Sequence, residues 1–208
     1  MNEKRAIEFI NKNGILMVFP IKNQKLPKSL WSEFFPRKKM VWDWDEDADD
    51  NVANLWHLMK SLSDSKKVVY TKWYRGRATF FSRKAFVAAL KITEGLRQEP
   101  LPAASEKIYD ILLSDSPLST KQLKKASELQ GKFFASTYNR ATKYLFERFY
   151  IVAFGEVDDG AFPSLCVGAA CNLYEDLWQE AKSMSQNQAH KILSGHLDLF
   201  KFKTSAQK

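Results

Sequence analysis

Between Lys132 and Arg148 the apolar positions Phe134, Tyr138, Ala141 and Leu145 fall within roughly 60° of one another at ~100° per residue. This spacing predicts an amphipathic helix with that stripe in the core. Upstream, Ser105 to Ser114 carries Ile108, Ile111 and Leu112 at helical spacing and stops at Asp115, Ser116 and Pro117. Ser119 lies three residues before Gln122, a capping box for a short helix running to about Glu128, and Gln130 and Gly131 make the next turn. After the long helix the composition changes to strand at Phe149 to Gly155. The chain turns at Asp158, Asp159 and Gly160, and returns through Ala161 to Val167. Three helices followed by a hairpin is the order of a winged helix, in which the third helix enters the major groove.

The N-terminal half repeats this order more loosely. Ile7 and Ile10 give Glu3 to Lys12 one apolar face, with Gly14 as its stop. Pro27 begins a short helix carrying Trp31, Phe34 and Phe35, which Pro36 ends. Asp50 to Leu62 places Val52, Leu55, Trp56, Met59 and Leu62 on one face. Val68 to Trp73 and Ala78 to Phe81 then form strands around Tyr74, Arg75, Gly76 and Arg77. Ser82 caps a further helix from Arg83 to about Thr93. Pro100 and Pro102 interrupt the helical pattern and divide the chain. The expected architecture is α+β, mainly helical, with tandem winged-helix units over 1–98 and 103–168. Packing helices follow over 171–200, beginning with the stripe Leu173, Tyr174, Leu177, Trp178, Ala181 and Met184.

Charge sharpens this picture. The 208 residues carry a formal charge of +8, and 45% of them are hydrophobic, which excludes general disorder. Residues 60–91 hold nine basic side chains against a single acid, Asp64, a local excess equal to that of the whole chain. Lys66, Lys67, Lys72, Arg75, Arg77, Arg83 and Lys84 are the candidate phosphate contacts, with Arg75 and Arg77 flanking a glycine at the hairpin tip. In the second half, Lys121, Lys124 and Lys125 lie on the short helix. Lys132, Ser136, Asn139, Arg140 and Lys143 share the polar side of the long one, within roughly 100° of arc. All of these are candidate DNA contacts, so double-stranded DNA is the expected partner. Glu156, Asp158 and Asp159 make the second hairpin acidic and should hold it off phosphates.

Familiar chemistry is missing from the sequence. No glycine-rich phosphate loop, zinc-protease helix or nucleophile elbow occurs, and His57, His190 and His196 lack partners at metal spacing. Asp43, Asp45, Glu46, Asp47, Asp49 and Asp50 suggest a calcium loop, but Ala48 and Asn54 occupy the positions where it requires Gly and Glu. Cys166 and Cys171 are too few for a disulfide framework. No metal, cofactor or catalytic residue is expected. The longest early apolar run, Ile15 to Phe19, ends at Pro20 and is far too short for export or membrane insertion, so a cytoplasmic location is expected.

The stretch Leu118 to Gly168, with Leu118-Ser119-Thr120, Gln130-Gly131 and Phe154-Gly155-Glu156-Val157-Asp158-Asp159-Gly160-Ala161-Phe162-Pro163, resembles bacterial winged-helix proteins related to the AlkZ (YcaQ-like) DNA glycosylases. The same holds for Lys72-Trp73-Tyr74-Arg75-Gly76-Arg77-Ala78-Thr79-Phe80-Phe81. The resemblance implies tandem winged helices around DNA and, in its catalytic members, metal-free removal of alkylated bases by two polar residues, separated by one residue, in the N-terminal part. Here that spacing occurs at Gln186 and Gln188, in the C-terminal part, so the active site is not carried over. The expectation is therefore a non-catalytic DNA-binding protein, a regulator or repair accessory. A metal-independent glycosylase is the alternative. A protein-interaction module anchored by exposed aromatics such as Trp42, Trp44 and Trp73 is the third reading.

Overall fold

Val68-Val69-Tyr70-Thr71 and Ile151-Val152-Ala153 are near-continuous apolar runs, the pattern of strands covered on both faces rather than one. The computed structural model, which describes residues 1–41, 50–158 and 163–201, places both runs at the centre of a six-stranded antiparallel sheet. The first half comprises α1 (Glu3–Asn13), β1 (Ile15–Met17), α2 (Leu30–Phe34), α3 (Asp50–Asp64), β2 (Val68–Tyr74), β3 (Arg77–Ser82) and α4 (Arg83–Ile92). The second comprises α5 (Ala103–Ser114), β4 (Leu118–Ser119), α6 (Thr120–Ala126), α7 (Ala135–Glu147), β5 (Ile151–Val157) and β6 (Ser164–Ala169). Then come α8 (Ala170–Leu173), α9 (Glu175–Ser183), α10 (Gln186–Ile192) and α11 (Leu197–Lys201).

The strand order β1-β3-β2-β5-β6-β4 reads as a palindrome. In each half a short strand pairs with the last strand of the hairpin, and the two hairpins meet at the centre, where Tyr70 opposes Ala153. Both halves thus run helix, strand, helix, helix, strand, strand, and residues 1–98 and 103–168 contribute to one sheet. The third helices cross this seam: α3 packs against β5, and α7 against β2. The Ser63 hydroxyl of α3 accepts a hydrogen bond from the Gly155 N–H of the other hairpin at 3.0 Å.

Strand alternation distributes the core between two layers. Leu16, Val68, Tyr70, Phe80, Ile151, Ala153 and Val167 face the layer that also holds Leu55, Leu62, Ile108, Tyr138 and Leu145. Ile15, Val69, Trp73, Phe81 and Val152 face the opposite layer, built from Phe86, Tyr174, Leu177 and Ala189. In that layer Trp73 stacks on Phe149 with ring centroids 5.6 Å apart, and Phe81 and Phe86 meet the same ring edge-on at 5.5 Å.

Several expectations are corrected. Trp73 is fully buried rather than an exposed anchor, because alternation places it with Val69 and opposite Lys72. Trp42 and Trp44 lie outside the described residues, as do the acidic positions 43–49. Trp56 is 47% exposed, and Leu58 takes the buried place beside Leu55, Met59 and Leu62. Phe134 is 39% exposed because Lys132–Phe134 form a 3-10 turn, whose tighter winding takes it off the stripe that Tyr138, Ala141 and Leu145 continue. The run after Gly14 forms β1, a strand that no periodicity in its three residues predicts. The short helix of the first half starts at Leu30, three residues after Pro27, capped by Ser29. The predicted C-terminal helices are interrupted at Tyr174 and Leu193.

Candidate nucleic-acid interface

At the tip of the first hairpin Tyr74 pairs with Arg77, leaving Arg75 and Gly76 as a two-residue connection. Both have positive φ, 52° and 70°, the signature of a type I′ turn, and the glycine takes the second such position without steric cost. Arg75 and Arg77 are exposed there, with the Arg75 guanidinium 5.3 Å from the Tyr74 ring centroid.

The capping box of α6 forms as the sequence requires. The Ser119 hydroxyl accepts from the Gln122 N–H at 3.1 Å, and the Gln122 side chain accepts from the Ser119 N–H at 2.8 Å. The cap fixes the start of α6, which carries Lys121 and Lys125 on the surface and Lys124 half-buried, its ammonium 5.0 Å from the Tyr138 ring centroid. Gly131, at φ 88°, turns the chain into the 3-10 turn and α7. Lys132, Ser136, Asn139, Arg140 and Lys143 are all exposed on the polar side of this segment.

The packing of α7 on β2 brings these two groups together. A cleft of about 370 Å³ is lined by Lys72 and Gly76 from the first hairpin, Thr120 and Lys124 from α6, and Tyr138, Asn139, Thr142 and Lys143 from α7. Lys72 is half-buried; desolvation lowers its pKa, and the Glu156 carboxylate opposes that shift. The Tyr138 hydroxyl is buried with no hydrogen-bond partner among the described residues, and burial raises its pKa so that it keeps its proton. Charge selected the lysines and the helix face from sequence; Tyr138, Thr120 and Thr142 become part of the site only through the fold. Tyr138 and Thr142, one helical turn apart, were legible as neighbours but not as cleft residues.

The remaining candidates lie elsewhere. Lys66 and Lys67 precede β2 and Arg83 and Lys84 follow β3, at the end of the hairpin away from its tip. At ~3.3 Å per residue, the length of β2 separates the two groups by about 20 Å. Lys67 pairs with Glu3 at 3.1 Å, Arg83 with Asp176, and Arg83 also donates to the Lys66 carbonyl at 2.9 Å. The Lys66 ammonium lies 5.6 Å from the Phe154 ring centroid. Lys84 borders a separate groove with Glu180 and Lys191. The basic segment of the sequence is therefore two clusters, one beside α7 and one in which Lys67 and Arg83 are tied to acidic residues of other elements.

A larger cavity, about 550 Å³, lies on the opposite face of the sheet among Ile15, Met17, Pro27, Trp73 and His196. Polar groups at its edge are already engaged: His196 Nε2 lies 2.6 Å from the Asn13 carbonyl, and Lys28 donates to Asn13 Oδ1 at 3.0 Å. Gln186 and Gln188 lie beyond this layer. The Gln186 amide donates to the Lys91 carbonyl at 3.1 Å, and the Gln188 side chain accepts from the Ser185 N–H at 2.9 Å as a helix cap. Among the described residues no cluster of three or more His, Cys, Asp or Glu is arranged to hold a metal, and no helix is long and apolar enough to cross a membrane.

Glu156, whose charge acts on Lys72, supplies a pH test. Burial raises its carboxyl pKa above the ordinary carboxylate value, despite the attraction of Lys60 and Lys72. A raised folded-state pKa stabilises the fold below the unfolded value, near ~4.3, and that contribution is lost as pH rises through the folded value. Glu156→Gln mimics the protonated form. Its unfolding midpoint should therefore gain on that of the unmodified protein as pH rises from about 4 to about 7. Parallel denaturation curves at both pH values would remove Glu156 from the account.

A family model described as AlkZ related matches residues 1–208. No curated protein and no solved structure matches the chain.

Proposed function

Because the chain belongs to the AlkZ-related family, we propose that it is a non-catalytic, tandem winged-helix protein that holds double-stranded DNA, as a regulator or a repair accessory. Each helix-strand-helix-helix-strand-strand repeat reads as a winged helix, with α3 and α7 as third helices and the two hairpins as wings. The observation that carries the reading is the meeting of the first hairpin's tip with the polar face of α7 at one cleft. Lys72, Lys124 and Lys143 line it as cations and Asn139 as a donor suited to base edges, while the exposed Arg75 and Arg77 flank the lining Gly76 and Arg140 follows Asn139 on the same helix. Lys121, Lys125, Lys132 and Ser136 extend the same surface.

The engagement of Gln186 and Gln188 in structural hydrogen bonds, away from this surface, favours binding over base excision. The burial of Trp73 takes away one anchor of the protein-interaction reading. The test is titration of fluorescent random-sequence duplex between about 50 and 200 mM salt, where several phosphate contacts cost orders of magnitude in affinity. Tight binding with that dependence is expected, and no binding at the lowest salt overturns the proposal. An abasic-site assay on alkylated duplex separates the glycosylase alternative, with no strand scission after alkali expected.

A further inference from the structure

Phe133 is 88% exposed, the most exposed large apolar side chain among the described residues. Its ring stands edge-on to Phe134, with centroids 5.0 Å apart. The pair occupies the 3-10 turn that leads into α7, directly after Gly131 and Lys132. Leaving a phenylalanine in water forgoes the free energy of its burial, and with the partly exposed Phe134 it forms a two-ring apolar patch at the leading end of this helix. The surroundings say which kind of partner suits it. Lys132 precedes Phe133 in the chain, Ser136 and Arg140 follow one and two helical turns after Lys132, and all three are exposed. An apolar protein patch covering the ring would strip water from the Lys132 and Arg140 cations and the Ser136 hydroxyl without replacing it. A nucleic acid offers a phosphate to each cation and an aromatic face to the ring.

Within a paired duplex the groove presents base edges, and base faces become reachable only where the stack opens. We propose that Phe133 stacks on a nucleobase whose own stack is broken, so that the protein prefers duplex carrying an unpaired nucleotide over fully paired duplex. This inference rests on the DNA-binding reading above. Phosphate contacts from Lys132 and Arg140 hold the backbone, and the ring covers the exposed base. The preference arises because the unstacking that a paired site demands is already complete at an unpaired one.

The experiment compares anisotropy titrations of a paired duplex and the same duplex with one bulged nucleotide, for the unmodified protein, Phe133→Ala and Phe133→Trp. The unmodified protein is expected to favour the bulged duplex by about tenfold, within the range of a single base stacked on an aromatic ring. Phe133→Ala should bind both duplexes alike with an unchanged salt slope, and Phe133→Trp should restore the preference. Equal binding of the two duplexes by the unmodified protein, or a preference that survives Phe133→Ala, overturns the inference while leaving the DNA reading intact. Failure to bind either duplex overturns both. A dimer that Phe133→Ala converts to monomer would give the ring to a second copy of the chain instead, and also overturns the inference.

Discussion

Replacing Arg75 and Arg77 together by alanine is expected to weaken binding to random-sequence duplex by roughly tenfold to a hundredfold. It should also reduce the magnitude of the slope of log affinity against log salt by about 1.8, the share of two phosphate contacts. The affinity estimate takes each charged hydrogen bond at the low end of its range, about 1.5 kcal/mol or less after solvent screening. The control is the pair Arg83→Ala and Lys84→Ala, which removes the same charge from the same sequence segment. Arg83 is held by Asp176 and the Lys66 carbonyl at the far end of the hairpin, so this variant should keep nearly the full slope. Charge alone predicts the same loss for both variants. Geometry predicts different losses, because only the tip reaches the cleft beside α7. Equal slopes for the two variants, or a larger loss at Arg83 and Lys84, would take the hairpin tip out of the interface.

The second large effect concerns stability. Trp73→Ala should destabilise the fold by about 3–5 kcal/mol, the usual cost of emptying a buried aromatic site. That is a large part of the total, since single domains are stable by only ~5–15 kcal/mol. Trp73 belongs to the first hairpin, yet it stacks on Phe149 just before β5 and packs at a tilt against Phe200 of the last helix, with centroids 5.6 and 4.6 Å apart. Denaturant unfolding followed by both fluorescence and circular dichroism should give one coincident transition, shifted to lower denaturant. A shift equivalent to less than about 1 kcal/mol, or two separated transitions, would show that this aromatic layer does not tie the hairpins together.

Much of the element order could be read directly because helices and caps are local. The box at Ser119 and Gln122, the stop at Gly14 and the cap at Ser82 depend on residues within one turn of each other. The first hairpin turn was legible for the same reason, since Arg75-Gly76 needs only its own φ angles. What escaped depends on distant partners. Three apolar residues after Gly14 have no period of their own and become β1 only by pairing with Phe81, Phe80 and Thr79. Nothing local marks Tyr70 as the neighbour of Ala153. Trp73, set among Lys72, Arg75 and Arg77, looked like a surface aromatic, although strict alternation from Val69 assigned it to the interior. The site followed the same rule. Charge identified its lysines and arginines, but the length of β2 decided which of them share a surface, and α7 crossing onto β2 decided which surface that is.

The palindromic sheet makes each half of the chain the lid on the other's most vulnerable boundary. The strands at its centre, β2 and β5, are seven residues long each, whereas the outermost strands, β1 and β4, have three and two residues. Cutting the chain between the halves would turn each central strand into an exposed edge carrying an apolar run, a template on which foreign strands can pair. A half produced alone would have to bury that edge against a second copy of itself, as a homodimer closed by the same antiparallel ladder, or else polymerise. The covalent link between the halves thus acts as a solubility device. It supplies the partner strand at a fixed local concentration that no dilution can lower.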